Sequence, residues 1–211
     1  MCSLVIPDSV TSIGDSAFYG CTSLHNLVIP VGVTSIGDRA FRGWDGELMC
    51  LSPYFIYENN VLFDKGKSKI LSFRDTKTSS YVIPDSVTSI GNSAFYGCSS
   101  LSSIVIPDSV TSIGDSAFYG CSSLSNLIIP DSGVTSIGGG AFRGCSSLRS
   151  LVLPDGVTRI GVEAFCGCIF LGSLDIPASV TSIGDGAFKD CNFPDNLKQE
   201  LISRFGNKIF G

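Results

Sequence analysis

"IPDSVTSIGDSAFYGCSSL", residues 106–124, decides how the chain folds. The same nineteen residues, each time with one change, stand at 83–101 and at 6–24. Working outward, Ile-Pro or Leu-Pro pairs end at Pro7, Pro30, Pro84, Pro107, Pro130, Pro154 and Pro177, with spacings of 23, 54, 23, 23, 24 and 23 residues. The period is 23, and seven copies carry Val-Thr-x-Ile-Gly. A fixed period of this length marks stacked repeats, whereas an active site gathers different groups once. The extra residue after Pro130 falls at Ser132-Gly133, in a turn, where insertion costs little.

One unit can be read as local structure. Residues 101–106 carry a short β-branched run that ends at Pro107, which cannot donate a ladder hydrogen bond and closes the strand. Val110 and Ile113 then point inward from a short extended arc. Gly114 permits a reversal, and Asp115 is placed to cap a single helical or 3₁₀ turn that carries Phe118 into the core. Each unit offers about eight apolar side chains, each contributing roughly 1.5 to 3 kcal/mol on full burial, against an ordering cost of about 1 to 2 kcal/mol per residue. A single unit cannot fold alone; its neighbours must bury it. The expected fold is therefore a repeat solenoid, a curved right-handed stack. It has one parallel β-strand per 23-residue repeat, with arcs and 3₁₀ or helical turns, and about eight repeats over residues 1–193.

Composition narrows the function. With 44% apolar and 16% charged residues the chain can bury a continuous core. A net charge of -5 argues against a nucleic-acid partner, which requires clustered Lys and Arg. No apolar run reaches the roughly 18 to 20 residues needed for a membrane span, and no leader precedes the first Ile-Pro.

The pattern Leu-x-x-Ile-x-Ile-Pro-x-x-Val-Thr-x-Ile-Gly-x-x-Ala-Phe-x-x-Cys resembles the BspA-like, or treponemal-type, class of leucine-rich repeats over almost all of residues 1–193. That resemblance implies a solenoid whose parallel sheet lines the concave face. It also implies a cell-surface or extracellular setting and a part in adhesion or protein binding, with a host or matrix protein among the candidate partners.

The 54-residue interval holds the main irregularity. Trp44 replaces the ladder cysteine, and Leu48 and Leu51 roughly restore a strand. "FIYENNVLFDKGKSKILSF", residues 55–73, alternates apolar and polar residues around two turn signals, so 53–83 is expected to be a hairpin-bearing repeat. A projecting hairpin would offer Lys65, Lys67 and Lys69 to an acidic partner; otherwise it is a solvated loop.

Six of the nine cysteines (Cys21, Cys98, Cys121, Cys145, Cys168, Cys191) share one inward position, which suits small apolar thiols in a core better than a disulfide framework. Cys166 takes the outward position held elsewhere by Tyr19 or Arg42, and Cys50 and Cys2 lie off the ladder, Cys2 being a candidate for lipidation. Neither zinc nor any other cofactor is implied, since no Cys-x-x-Cys pair occurs and His25 is the lone histidine. The same scarcity argues against catalysis. The aspartates after the prolines (Asp8, Asp85, Asp108, Asp131, Asp155) are turn residues before they are calcium ligands.

Surface is what remains. The strand residues that point away from the core are Ser3/Val5, Asn26/Val28, Ser80/Val82, Ser103/Val105, Asn126/Ile128, Ser150/Val152 and Ser173/Asp175. An apolar column rimmed by Ser and Asn is a usual mark of a binding surface, although β-branched residues also favour strands for their own sake. A second array, Thr11, Thr34, Thr88, Thr111, Thr135, Thr158 and Thr181, presents hydroxyls suited to a glycan or to ice. A purely architectural scaffold within a longer protein is a further alternative. At the ends, residues 194–206 read as an amphipathic helix with Asp195 as cap and Gly206 as stop, so that 194–211 caps the solenoid. Leu4-Val5-Ile6 reads as an uncapped edge strand open to edge-to-edge homodimerisation.

Overall fold

Two strands per repeat form, one on each side of the proline turns from Pro30 on, because apolar residues alternate on one side of the turn and a Ser-Ile or Arg-Ile pair follows on the other. In the computed structural model, which describes residues 4–131 and 133–211, seven strands carry the first role: β2 (Asn26–Ile29), β4 (Glu47–Cys50), β8 (Ser80–Val82), β10 (Ser103–Val105), β12 (Asn126–Ile128), β14 (Ser150–Val152) and β16 (Ser173–Asp175). The arcs are β1 (Ser12–Ile13), β3 (Ser35–Ile36), β9 (Ser89–Ile90), β11 (Ser112–Ile113), β13 (Ser136–Ile137), β15 (Arg159–Ile160) and β17 (Ser182–Ile183). Strands pair in parallel with the equivalent strand of the next coil, as Ile104 with Leu127 and Ile113 with Ile137. The expected solenoid is present.

Between the two rows the apolar positions meet in a core. In the coil that follows Pro107, Val110, Ile113, Ala117, Phe118, Cys121, Leu124, Leu127 and Ile129 are all buried. The rings of Phe73, Phe95, Phe118, Phe142, Phe165 and Phe188 stack in one column, their centroids separating from 4.8 Å at the first pair to 5.7 Å at the last. Paired strands sit about 4.8 Å apart. The backbone at the phenylalanine turns stays joined from coil to coil as well, Phe95 N–H donating to Ala117 C=O at 2.7 Å.

Three local expectations are revised by the geometry. Gly114 is not a left-handed residue. A Cβ there would meet the Asn92 backbone nitrogen at 2.8 Å, and at Gly161 the Gly139 nitrogen at 2.4 Å, so this glycine column is needed for coil-to-coil approach. The left-handed position is two residues on, at Ser116 (φ 53°), in a run of i→i+3 turns and not a helix. Asp115 does not cap its own turn: its Oδ1 accepts the N–H of Gly139 in the next coil at 2.8 Å, as Asn92 does for Asp115 at 2.7 Å. A ladder of Asp and Asn carboxyl and amide oxygens thus joins successive coils.

The irregular segment differs most. It forms a three-strand antiparallel meander, β5 (Phe55–Glu58), β6 (Val61–Asp64) and β7 (Lys69–Phe73), which does not project. β7 pairs in parallel with β9, with Gly91 N–H donating to Ile70 C=O as Gly114 N–H donates to Ile90 C=O. The meander thereby replaces the arc of a missing coil and extends the outer sheet. On β6, Leu62 belongs to the core of the upstream coils while Val61 and Phe63 belong to the downstream core. Leu51 is exposed and not in the core, and Leu4-Val5-Ile6 forms no ladder with β2.

At the other end α1 (Asp195–Phe205) buries Leu201 and is closed by Gly206, whose N–H donates to Ile202 C=O at 2.8 Å. Pro194 holds the N-cap position, where its fixed φ of -64° combines with an extended ψ of 153°, and Asp195 is the first helical residue. The following 3₁₀ turn (Asn207–Phe210) seals the last coil: Gly186 and Phe188 donate their N–H groups to the carbonyls of Lys208 and Ile209.

Candidate functional site

Alternation along the strands before the proline turns sends Leu27, Ile104, Leu127, Leu151 and Leu174 inward and leaves two columns outside. One is polar: Asn26, Ser80, Ser103, Asn126, Ser150 and Ser173. The other is apolar: Val28, Val82, Val105, Ile128 and Val152 are 39 to 67% exposed, and the column ends at Asp175. Register brings Val82, Val105 and Ile128 side by side and pairs Val152 with Asp175. The ladder lapses between Ile128 and Val152, across the 24-residue unit. A shallow depression between the Val82 and Val105 positions is rimmed by Asp85 and Asp108. Ser3 lies outside the described residues.

Two further members of the face come from the irregular region. Glu47 pairs with Asn26 and Met49 with Val28, and Met49 is well exposed. They were hidden because this coil places its strand 21 residues, not 23, after the previous one; the alternation of residues 47–50 was the available signal.

The lysines of the meander are internally engaged. Lys67 pairs with Glu58, Lys69 lies 3.7 Å from Asp38, and Lys65 sits over the Tyr54 ring at 5.2 Å. Asp64 binds this turn together: burial pushes its carboxyl up, but the Ser68 hydroxyl and the N–H groups of Lys69 and Ser68 hold it below the usual range. Trp44 is a core residue, 2% exposed, with its indole N–H on Leu24 C=O at 2.6 Å. Arg74 lies over its ring at 4.3 Å and donates to the carbonyls of Trp44 and Gly46; burial lowers the pKa of the guanidinium, which the Tyr57 and Asp45 oxygens partly offset.

The cysteine column is chemically quiet. The thiols of Cys121, Cys145, Cys168 and Cys191 donate to phenylalanine carbonyls of the preceding coil at 3.2 to 3.3 Å. Burial pushes the thiols up, those of Cys98 and Cys168 to about 12. Cys166 is covered but stands outside the core that holds Cys168, and Cys50 is half-buried; Cys2 lies outside the described residues. On the outer side, the hydroxyls of Thr34, Thr111, Thr158 and Thr181 donate to the carbonyl of the preceding threonine, so their protons serve the stack. Among the described residues no group of three or more His, Cys, Asp or Glu is arranged to hold a metal, and no helix is long and apolar enough to cross a membrane.

A parallel solenoid with an exposed strand face and a buried Leu/Phe/Cys ladder defines a leucine-rich-repeat protein. The chain belongs to the family described as BspA type leucine rich repeat region, matched in six copies over residues 1–63 and 69–194. Among solved structures it is similar to a leucine rich cell surface protein from Faecalibacterium prausnitzii, at 32% identity and TM-score 0.81, covering 95% of this chain and 55% of that one. A leucine-rich repeat protein from T. pallidum matches at 32% identity and TM-score 0.56, over 95% of this chain and 82% of that one. A third, from Eubacterium ventriosum, matches at 26% identity and TM-score 0.70, over 90% and 64%. This chain spans little more than half of the F. prausnitzii structure. No curated protein matches it. Proteins of this repeat class generally mediate protein interaction or surface adhesion and are generally not enzymes.

Proposed function

We propose that the chain is a non-enzymatic interaction or adhesion module of the cell surface that binds a protein ligand, such as a host or matrix protein, through its concave strand face. The observation that carries this reading is the apolar column. Val82, Val105 and Ile128 stand in register and are 48 to 67% exposed, on a sheet whose other face already buries a complete core. Strand propensity accounts for β-branched residues there, but it does not account for leaving them uncovered beside a polar column of Ser and Asn. Desolvating such a column is the ordinary source of affinity at protein interfaces.

The threonine column supports glycan or ice binding less well, because its hydroxyl protons are spent on neighbouring carbonyls.

The test is a panel of immobilised host cell-surface and matrix proteins probed with the native chain and with the double variant Val105→Glu, Ile128→Glu. Both positions are exposed, so circular dichroism should be unchanged, while any protein bound by the native chain should be bound roughly tenfold more weakly or worse. Undiminished binding by the folded variant would move the interface off this face.

A further inference from the structure

In complete coils one peptide group at the tyrosine-glycine step ties each coil to both neighbours. Tyr119 C=O accepts from Gly97 N–H at 2.8 Å, and Gly120 N–H, in the same peptide group, donates to Arg143 C=O at 2.8 Å. Two residues earlier Phe95 N–H donates to Ala117 C=O in the same sense. The meander replaces only part of this row. Phe73 N–H donates to Ala94 C=O at 2.7 Å, as a complete coil's phenylalanine would, but the next residue, Arg74, leaves the row to stack on Trp44. The tyrosine-glycine step of that coil is missing.

Its absence leaves a slot with unmatched walls. On the upstream wall the N–H groups of Phe41 and Gly43, equivalents of Phe18 and Gly20, donate to no acceptor among the described residues, whereas Phe18 and Gly20 donate to Ala40 and Arg42. On the downstream wall Tyr96 C=O receives no donor among the described residues, whereas Arg42 C=O does. A Cβ built on Gly97 meets nothing within 4 Å, although at Gly120 it meets the preceding glycine at 3.8 Å. The space is a cleft of about 290 Å³ between Phe41 and Gly43 on one side and Ser93, Tyr96 and Gly97 on the other. Ser93 supplies an independent sign: it lines the cleft, is 7% exposed, and its hydroxyl has no partner.

We infer that this slot takes an extended peptide segment of a partner protein, whose backbone supplies the missing peptide group between Gly43 N–H and Tyr96 C=O. The ligand carbonyl accepts from Gly43 and the ligand N–H donates to Tyr96, which is strand addition inside a solenoid in place of a sheet edge. The volume, just below the lower bound of ordinary ligand pockets, limits the occupant to a short segment, and the Tyr96 ring, 3.8 Å from a Cβ built on Gly43, bounds it. This site is separate from the concave face, so the two proposals stand or fall independently.

The probe is N-acetyl-Ala-Tyr-Gly-Ser amide, which copies the missing step, titrated into the full ¹⁵N-labelled chain. A matched ester analogue lacks only the glycine N–H. The expected result is a saturable shift of the Gly43 and Gly97 amides, slower exchange of Gly43 N–H, and roughly fivefold to tenfold weaker binding of the ester. Thr22→Trp and Thr76→Trp, at exposed rim positions, should each abolish the shift. No saturable shift at Gly43, or equal binding of amide and ester, would overturn the proposal and leave a solvent-filled cleft. Binding that persists in a folded tryptophan variant would overturn it as well, and the amide and ester comparison decides the matter on the native chain even where both variants fail to fold.

Discussion

Two places lack a following repeat in the row of hydrogen bonds along the phenylalanine turns, and they are finished differently. At the C-terminal end the N–H groups of Gly186 and Phe188 find the carbonyls of Lys208 and Ile209, supplied by a segment that is not a repeat. At the internal junction the equivalent groups, the N–H of Arg39 and of Phe41, find none among the described residues, and only Phe73 reaches across on the other wall. The difference teaches that repetition stabilises the interior of the stack but not its ends. The C-terminal 3₁₀ turn completes its end, whereas the internal junction keeps N–H groups without partners among the described residues.

The largest expected effect tests whether the downstream coils form one stack. Phe118 lies between the rings of Phe95 and Phe142, so Phe118→Ala should cost about 3 to 5 kcal/mol in urea unfolding followed by circular dichroism. Phe41, with Phe18 and Trp44 beside it at the incomplete junction, should cost less; an equal cost would erase the distinction between the regions.

A smaller effect sharpens the junction itself. Trp44 is the single tryptophan, so its fluorescence reports the upstream coils alone. Arg74→Ala removes the stack on that ring and two donated hydrogen bonds, which should shift the fluorescence transition by about 1.5 to 3 kcal/mol while the circular dichroism transition of the downstream coils moves little. Coincident shifts in both signals would show that the regions unfold as one.

The smallest effect per side chain appears only in alkali. The ladder thiols of the downstream core are held neutral, with Cys98 and Cys168 raised from 9.0 to about 12. A group whose folded pKa is raised contributes its full stability below the unfolded value and loses it as pH climbs toward the folded one. Stability should therefore be flat below about pH 9 and then fall, by about 1 kcal/mol per buried ladder thiol at pH 10. A pH-independent urea midpoint from 7 to 10 would contradict the burial assigned to this column.

The sequence makes the interior of the stack legible because each coil repeats the same physical problem. The 23-residue period, the proline that ends each strand, the inward Cys and Phe positions and the C-terminal helix follow from residue type and spacing alone. Features that depend on what the neighbouring coil presents are not legible in one unit. Asp115 resembles a local helix cap, yet its partner is 24 residues away at Gly139. Gly114 resembles a hinge, yet its constraint is the backbone of the coil before it. Trp44 and the 55–73 segment break the pattern and so invite a reading as exposed contact elements. Burial of the indole and pairing of β7 with β9 make both of them structural. The exposed polar and apolar strand columns are the part of the candidate site that alternation does reveal, apart from Glu47 and Met49, which a shortened coil displaces from the expected register.

The most direct measurement of the central claim is native-state amide hydrogen exchange on the whole chain. If the downstream coils are a continuous stack and the junction lacks a peptide group, the amides of Phe95, Phe118 and Phe142 exchange only through global unfolding. Those of Phe41 and Gly43 then exchange orders of magnitude faster under the same conditions. Protection at Phe41 and Gly43 equal to that at Phe118 would mean that the row is unbroken and that no slot exists.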